Sequence, residues 1–216
     1  MTTKKINGVV LAGDIGGTKT NIGLFAMGRK RPEPLSIESF ASREAPHLED
    51  LVDRFLKRHP ALLISACFGI AGPVINGRCK TTNLPWVVSE RALQRRFHWR
   101  HVRLLNDLAA TALAIPLLRR SERLSLSQGN MQKKGTIALM SPGTGLGQAI
   151  LAYQGGEYVP LASEGGHVSF SPTTEAEIDL WRHLRKTFGH VSMERVLSGS
   201  GLVNIYSWLR DLGRFE

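Results

Sequence analysis

Residues 11–25 read LAGDIGGTKTNIGLF, an apolar run broken by Gly13, Asp14, Gly16, Gly17, Thr18 and Thr20. A core strand has no use for Asp14, and a plain turn does not need so many small polar groups. Glycines let backbone amides converge without Cβ obstruction, and threonine hydroxyls add donors. The segment Gly13, Asp14, Ile15, Gly16, Gly17, Thr18 can therefore cradle a phosphate. A second stretch, SPGTGLGQAILAY, offers the same chemistry at Gly143, Thr144, Gly145 and Gly147. Neither turn contains GxxxxGK[ST]; GTGLGQ matches GxGxxG only loosely and opens a strand where that motif opens a helix. A carboxylate beside phosphates repels them unless a cation intervenes. Mg2+ held partly through water by Asp14 would resolve the conflict. In the competing reading Asp14 caps its own turn and Gly16-Gly17 permits a tight bend.

Further polar residues cluster in short motifs. LLNDLAATALAI sets Asn106-Asp107 where a strand ends and a helix begins. An aspartate there can serve as a cap. That end of a strand is also the usual active-site edge of an α/β sheet, and the carboxylate can orient a hydroxyl and accept its proton late in phosphoryl transfer. SEGGHV presents Glu164 and His167 across two glycines, so both can address one small polyol or form an ordinary surface turn. Glu194, in HVSMERVLSG, reads alone as a surface helix residue, and Asn83, in TTNLPW, as a turn residue beside a core Trp86. Acids and an amide suit a neutral polyol better than a metal cluster, which would show several close His or Cys ligands. His98, His101, His183 and His190 read as ordinary histidines.

These residues need elements to hold them. Val9 to Ala12, Asn21 to Met27 and Leu35 to Ala41 read as three strands joined by short hairpin connections. Leu48, Leu51, Val52, Phe55 and Leu56 have helical spacing, and Pro60 marks the end of that helix. Leu62 to Phe68 is a strand, followed by a rigid turn through Gly72 and Pro73. Ser89 can cap a helix carrying Leu93 and Phe97, and Val102 to Leu105 is the next strand. This is an α/β domain with a mixed sheet, assigned to residues 1–115. Arg119 to Lys134 is a polar connection. At Thr136 to Met140 the pattern of strand, glycine turn and strand restarts, opening a second domain over 116–216. A helix is expected from Glu175 to Phe188 and another segment around Leu202 to Leu209, with no clear strand after Phe170.

Bulk properties exclude several classes. The chain has 216 residues, 42% of them hydrophobic, and no apolar run reaches the ~20 residues of a membrane span. Met1 to Gly8 lacks a secretory signal pattern, so a cytoplasmic protein without membrane partners is expected. Two cysteines, Cys67 and Cys79, are too few for a disulfide scaffold or a thiolate zinc site. The net charge of +10 raises the question of nucleic acid. The basic residues are scattered as Arg29-Lys30-Arg31, Arg95-Arg96, Arg119-Arg120 and Lys133-Lys134, which reads as a solvated surface with no nucleic-acid partner.

With these pieces in order, the chain resembles the bacterial glucokinases of the non-zinc group, within the hexokinase, actin and Hsp70-like ATPase superfamily. The matching segments are GDIGGTKTNIGL, TTNLPW, LLNDLAATALAIPLL, GTGLGQAIL, SEGGHVSFSP and GHVSMERVLSGSGLVNIY. The resemblance implies an α/β fold of two ribonuclease H-like (actin-like ATPase) domains around a cleft, the second incomplete because the family's chains are about a third longer. It implies transfer of the ATP γ-phosphoryl group to the 6-hydroxyl of glucose with Mg2+ and no zinc. Asp107 matches the catalytic base. Asn106, Asp107, Glu164, His167 and Glu194 match glucose-binding positions, with Asn83 near the sugar. Gly13–Thr18 and Gly143–Gly147 match the two phosphate segments. A homodimer is the family's expectation.

Two other readings compete. One is a kinase for another hexose or an amino sugar, which the sequence discriminates poorly because an epimer differs from glucose only in the direction of one hydroxyl. A catalytically inactive sugar-binding regulator would carry a DNA-binding helix-turn-helix before the first strand, where eight residues precede Val9.

Overall fold

The computed structural model describes residues 8–28, 31–81, 83–130 and 132–213. Arg29 and Lys30 of the first basic cluster lie outside them. The chain divides into two compact units, Met1–Leu126 and Ser127–Glu216.

The first unit is built on a five-stranded mixed sheet in the order β3-β2-β1-β4-β7. Its strands are β1 (Val9–Ile15), β2 (Lys19–Ala26), β3 (Glu33–Ala41), β4 (Leu63–Ile70) and β7 (Val102–Asn106). The first three form the expected antiparallel meander, and β1, β4 and β7 run parallel. Strand alternation puts Leu11, Ile15, Ile22, Leu24, Phe68 and Ile70 in one buried cluster with α1 (Leu48–Arg58). Leu48, Leu51, Val52 and Phe55 of that helix are fully buried, which is the i, i+3, i+4, i+7 stripe read from the sequence. Acidic Glu49 and Asp50 begin the helix and basic Lys57 and Arg58 end it, both favourable to its dipole. The helix stops two residues before Pro60.

A short hairpin of β5 (Arg78–Lys80) and β6 (Val87–Ser89), absent from the sequence reading, precedes α2 (Glu90–Phe97). Its approach uses Asn76 (φ 51°) and Gly77 (φ 69°), the two left-handed residues of a tight reversal between Ile75 and Arg78. Ser89 does precede α2, but its side chain makes no capping hydrogen bond, so the expected hydroxyl cap is replaced by position alone. β7 leads directly into α3 (Asp107–Ala114).

Helix α1 is tied to β3 at its C-terminal end: Glu38 accepts from Arg58 at 2.8 Å and lies 2.7 Å from the His59 ring nitrogen. The His59 hydrogen bond, with help from Arg58, holds the Glu38 carboxyl below its usual range. A carboxyl depressed in the folded state contributes stability above its unfolded pKa and loses it as pH falls through the folded value. Acid titration of unfolding free energy should therefore fall less steeply below about pH 4.5 in Glu38→Gln than in the parent chain.

The unit boundary falls eleven residues beyond the expected 115. A turn at Arg120–Glu122 is held to the first unit by Arg31, whose guanidinium binds both Glu122 oxygens at 2.9 and 3.0 Å.

The second unit opens with the antiparallel meander β8 (Ile137–Pro142), β9 (Leu146–Gln154) and β10 (Glu157–Ser163). The last of these was not anticipated. Helices α4 (Glu175–Phe188) and α5 (Gly199–Asp211) follow, and Leu180, Leu184, Val191 and Trp208 form their shared core. Thr174 and Glu177 make a reciprocal capping box at the start of α4. Beyond Phe170 the described residues hold no strand, only the bridge between Ser169 and Ser192.

Candidate functional site

In the first unit, β1, β4 and β7 end together. Asp14 lies opposite Gly69 across the β1–β4 ladder, and Ile70 lies opposite Asn106 across β4–β7. Gly69 has no Cβ, and one placed there would sit 3.3 Å from Ala110 Cβ and 3.7 Å from Asp107 Cα. The two aspartates singled out from sequence thus flank one glycine at the same sheet edge.

The glycine turn between β1 and β2 is a reversal in which the Gly16 amide donates to the Lys19 carbonyl at 3.0 Å. The amides of Gly17 and Thr18 donate to no group among the described residues, so they are the ones available to an anion. Gly13 plays a different part: it lies inside β1, where a Cβ would strike the Phe68 ring. Gly17 is pressed against Asn83, since a Cβ on it would come within 2.6 Å of Asn83 Cβ. On either side of Asn83, the buried Thr81 hydroxyl donates to the Leu84 carbonyl at 2.8 Å and the Trp86 ring N–H donates to Ala45 O at 3.1 Å.

Sequence reasoning missed what lies beneath this turn. Thr20 and Ser42 are fully buried, and Ser42 Oγ donates to the Gly16 carbonyl at 2.8 Å. With the Ser42 proton so used, Thr20 Oγ1 is the donor in the 2.9 Å contact between the two hydroxyls. Ser42→Ala strands the Thr20 hydroxyl and one acceptor of the turn. It is expected to cost about 1–3 kcal/mol in urea unfolding. Thr20→Val in the same chain should recover part of that loss.

At the end of β7, Asn106 caps α3, its Oδ1 accepting from the amides of Leu108 and Ala109, while its Nδ2 donates to Gly72 O at 3.2 Å. The amide that matches a sugar-binding position is therefore engaged at both ends in this structure. Asp107 is half-buried, with Oδ1 accepting from the Leu108 amide at 2.9 Å and Oδ2 without a hydrogen-bond partner among the described residues. Burial, aided by the Asp107 charge, pushes the nearby Cys79 thiol up.

A single exposed carboxylate, Asp14, stands at the glycine turn, and the described residues hold no cluster of three or more His, Cys, Asp or Glu fit to bind a metal. One hard oxygen ligand suits Mg2+, which keeps most of its waters and is held chiefly through the phosphates it accompanies.

The second unit brings its own candidates together. Glu164 precedes and His167 ends a one-turn 3-10 segment, Gly165–His167, with Glu164 Oε2 and His167 Nε2 3.8 Å apart and both side chains largely exposed. Gly166 packs against the Leu146 carbonyl and Gly165 against the Gln148 amide, which seats this turn on the start of β9. Glu194 does not lie on a surface helix. It occupies a 3-10 turn, Met193–Arg195, and its Oε2 accepts the Leu146 amide at 2.9 Å. Gly145 leaves room for that carboxylate.

The second glycine turn is confined to Gly143–Gly145, because Gly147 lies inside β9 opposite Ser141. The turn is pinned further by Gly199, whose amide donates to Gly143 O at 2.7 Å, and by its own bond from the Gly143 amide to Gly145 O at 2.8 Å. Met193 N donates to Val168 O at 2.9 Å and closes the group. The backbone of the 164–167 turn, Glu194 and the second glycine turn thus form one packed cluster around Leu146, with the Glu164 and His167 side chains left exposed.

A family model described as Glucokinase matches residues 11–216. The glucokinase of a Nostoc species is 40% identical over 211 residues, covering 94% of this chain and 61% of its own length. The crystal structure of glucokinase from an Antarctic psychrotroph superposes with a TM-score of 0.87 at 31% identity, covering 96% of this chain and 66% of that one. A ROK-family glucokinase from Streptomyces griseus, in complex with glucose and AMPPNP, shares the fold at a TM-score of 0.55 and 22% identity, over 95% of this chain and 62% of that one. The architecture is the mixed α/β, actin-like ATPase fold of these enzymes. The chain spans 61% of the length of the Nostoc relative. With its family model covering residues 11–216 and its glycine turns and acid clusters set on this fold, the chain belongs to the glucokinase family.

Proposed function

We propose that the chain serves ATP-dependent phosphorylation of D-glucose to D-glucose 6-phosphate. The observation that carries this reading is the pairing of Asp14 at its glycine turn with Asp107 at the same sheet edge, on a glucokinase-family chain. Asp107, through its unpartnered Oδ2, orients the sugar 6-hydroxyl toward the γ-phosphorus and takes its proton late in transfer. Glu164, His167 and Glu194 hold the sugar hydroxyls, Asn106 adds the one Nδ2 hydrogen its cap and Gly72 bonds leave over, and Asn83 lies at the edge of that set. Gly13–Thr18 and Gly143–Gly147 hold the phosphates. Asp14 would hold Mg2+, partly through water, and the ion would there supply neutralisation of phosphate charge. The Streptomyces relative's glucose and AMPPNP support the substrate pair. A cytoplasmic homodimer is the assembly this reading implies; among the described residues no helix is long and apolar enough to cross a membrane.

The test is ADP formation by this chain from Mg-ATP with and without glucose, across a panel of hexose epimers and glucosamine. Stoichiometric ADP and glucose 6-phosphate with glucose alone establish the reading. Preference for another sugar replaces glucose as the substrate. No sugar-dependent ADP overturns the reading for this chain. In the same panel, Glu164→Ala should weaken glucose binding measured by calorimetry by about tenfold or more, the loss expected for a charged hydrogen bond; unchanged affinity would remove Glu164 from the site.

A further inference from the structure

Asp14 is not alone on its strand face. It lies directly opposite Asn21 in the β1–β2 ladder, and Asn21 lies directly opposite Ser39 in the β2–β3 ladder. The three side chains form a row across three strands. Asn21 Nδ2 donates to Asp14 Oδ2 at 3.2 Å, and Ser39 Oγ donates to Asn21 Oδ1 at 2.6 Å. The chemistry allows only this direction. An ionised carboxylate only accepts, so the amide must face it with its NH2 group, and the amide oxygen is then left facing a hydroxyl that must donate.

The row settles the orientation of Asn21 and occupies one Asp14 oxygen. Asp14 Oδ1 has no hydrogen-bond partner among the described residues. Without Ser39, Asn21 could turn its oxygen toward Asp14, replacing an attraction with a repulsion.

We infer that Asn21 and Ser39 are positioning residues that hold the Asp14 carboxylate in one orientation, with Oδ1 presented to the hydrated divalent cation of a bound nucleotide. The inference rests on the assignment of Asp14 made under the proposed function. Partners that orient a metal-facing carboxylate matter for affinity even though they never touch the cation.

The test uses the 216-residue chain and two probes, Mn-ATP and ATP with EDTA, with dissociation constants measured by calorimetry. The ratio of the two isolates the metal-dependent gain. Ser39→Ala and Asn21→Ala are expected to reduce that ratio by about tenfold, within the range for outer-shell partners, while the affinity for metal-free ATP stays within twofold. Ser39→Thr keeps the hydroxyl on a strand that favours β-branched residues and should restore the ratio. A purely structural role would lower both affinities together. Asp14→Asn is the control for the underlying assignment. If it collapses the ratio while Ser39→Ala and Asn21→Ala leave it unchanged, the positioning role is overturned and the Asp14 assignment survives. If Asp14→Asn leaves the ratio unchanged, or the parent chain binds neither probe, both are overturned.

Discussion

Asp107→Asn is expected to lower glucose turnover more than ~100-fold while leaving glucose affinity within a few fold. The substitution is nearly isosteric. The carboxamide oxygen can still accept the Leu108 amide, now 2.9 Å from Asp107 Oδ1, so the first turn of α3 keeps that partner. The cap itself belongs to Asn106 and is untouched. Ala110, the neighbour of Gly69 in this corner, meets no new atom. What disappears is the negative charge and the capacity to take a proton at the oxygen now left open. A ~100-fold loss corresponds to about 2.7 kcal/mol of transition-state stabilisation, within the range of a positioned general base. Rate and affinity must be measured separately, by coupled ADP release and by calorimetry. Near-normal turnover would show that Asp107 is a helix-start residue and nothing more. Loss of glucose affinity in step with turnover would make it a binding group, without the base role.

The sequence was legible where local chemistry decides the outcome. Helix α4 begins and ends at the residues expected because Thr174 and Glu177 cap its start and Gly189, at φ 69°, ends it. The meander of β1, β2 and β3 was legible because its connections are too short for anything else. Asn106-Asp107 was legible as a strand-to-helix junction because both residue types favour helix starts.

What could not be read depends on distant partners. The tie of the Arg120–Glu122 turn to the first unit runs through Arg31 and Glu122, 91 residues apart in sequence. Thr20 looks like any strand threonine until Ser42 is placed beneath it. Strand β10 contains Pro160, which argues against a strand; the Gly155-Gly156 pair before it is a hairpin turn with both residues left-handed, and pairing with β9 along seven residues settles the strand. Glu194 is the clearest case. Its turn carries no signal of its own, and resemblance alone suggested the site, but resemblance did not foretell its bond to the Leu146 amide.

The adjacent glycines of the Glu164–His167 turn should respond very differently to alanine. A Cβ on either would fall well inside van der Waals contact, but the atoms it meets differ. At Gly165 the obstacle is the end of the Gln148 side chain, with Ser163 Oγ at 3.1 Å. The Gln148 end can rotate away, and Ser163 Oγ, which accepts from the Gly165 amide at 3.1 Å, needs to give only a few tenths of an ångström, so Gly165→Ala should cost less than about 1.5 kcal/mol in denaturant unfolding. At Gly166, which is buried, the obstacle is the Leu146 carbonyl oxygen, with its carbon at 3.1 Å and Leu146 Cβ at 3.2 Å.

That backbone cannot yield cheaply. Leu146 is paired with Pro142 in the β8–β9 ladder, its side chain is buried, and its amide is bound by Glu194. Gly166→Ala is therefore expected to cost about 3 kcal/mol or more, at the upper end for overpacked sites. The damage should reach function as well as stability. Moving Leu146 disturbs the second glycine turn and Glu194, and moving the 165–167 segment displaces His167, so sugar affinity should fall together with nucleotide affinity. Equal losses in the two variants would mean that the turn is seated by something other than this backbone contact. A smaller loss at Gly166 than at Gly165 would mean that Leu146 is free to move, and the packed cluster would no longer explain how Glu164, His167 and Glu194 are held together.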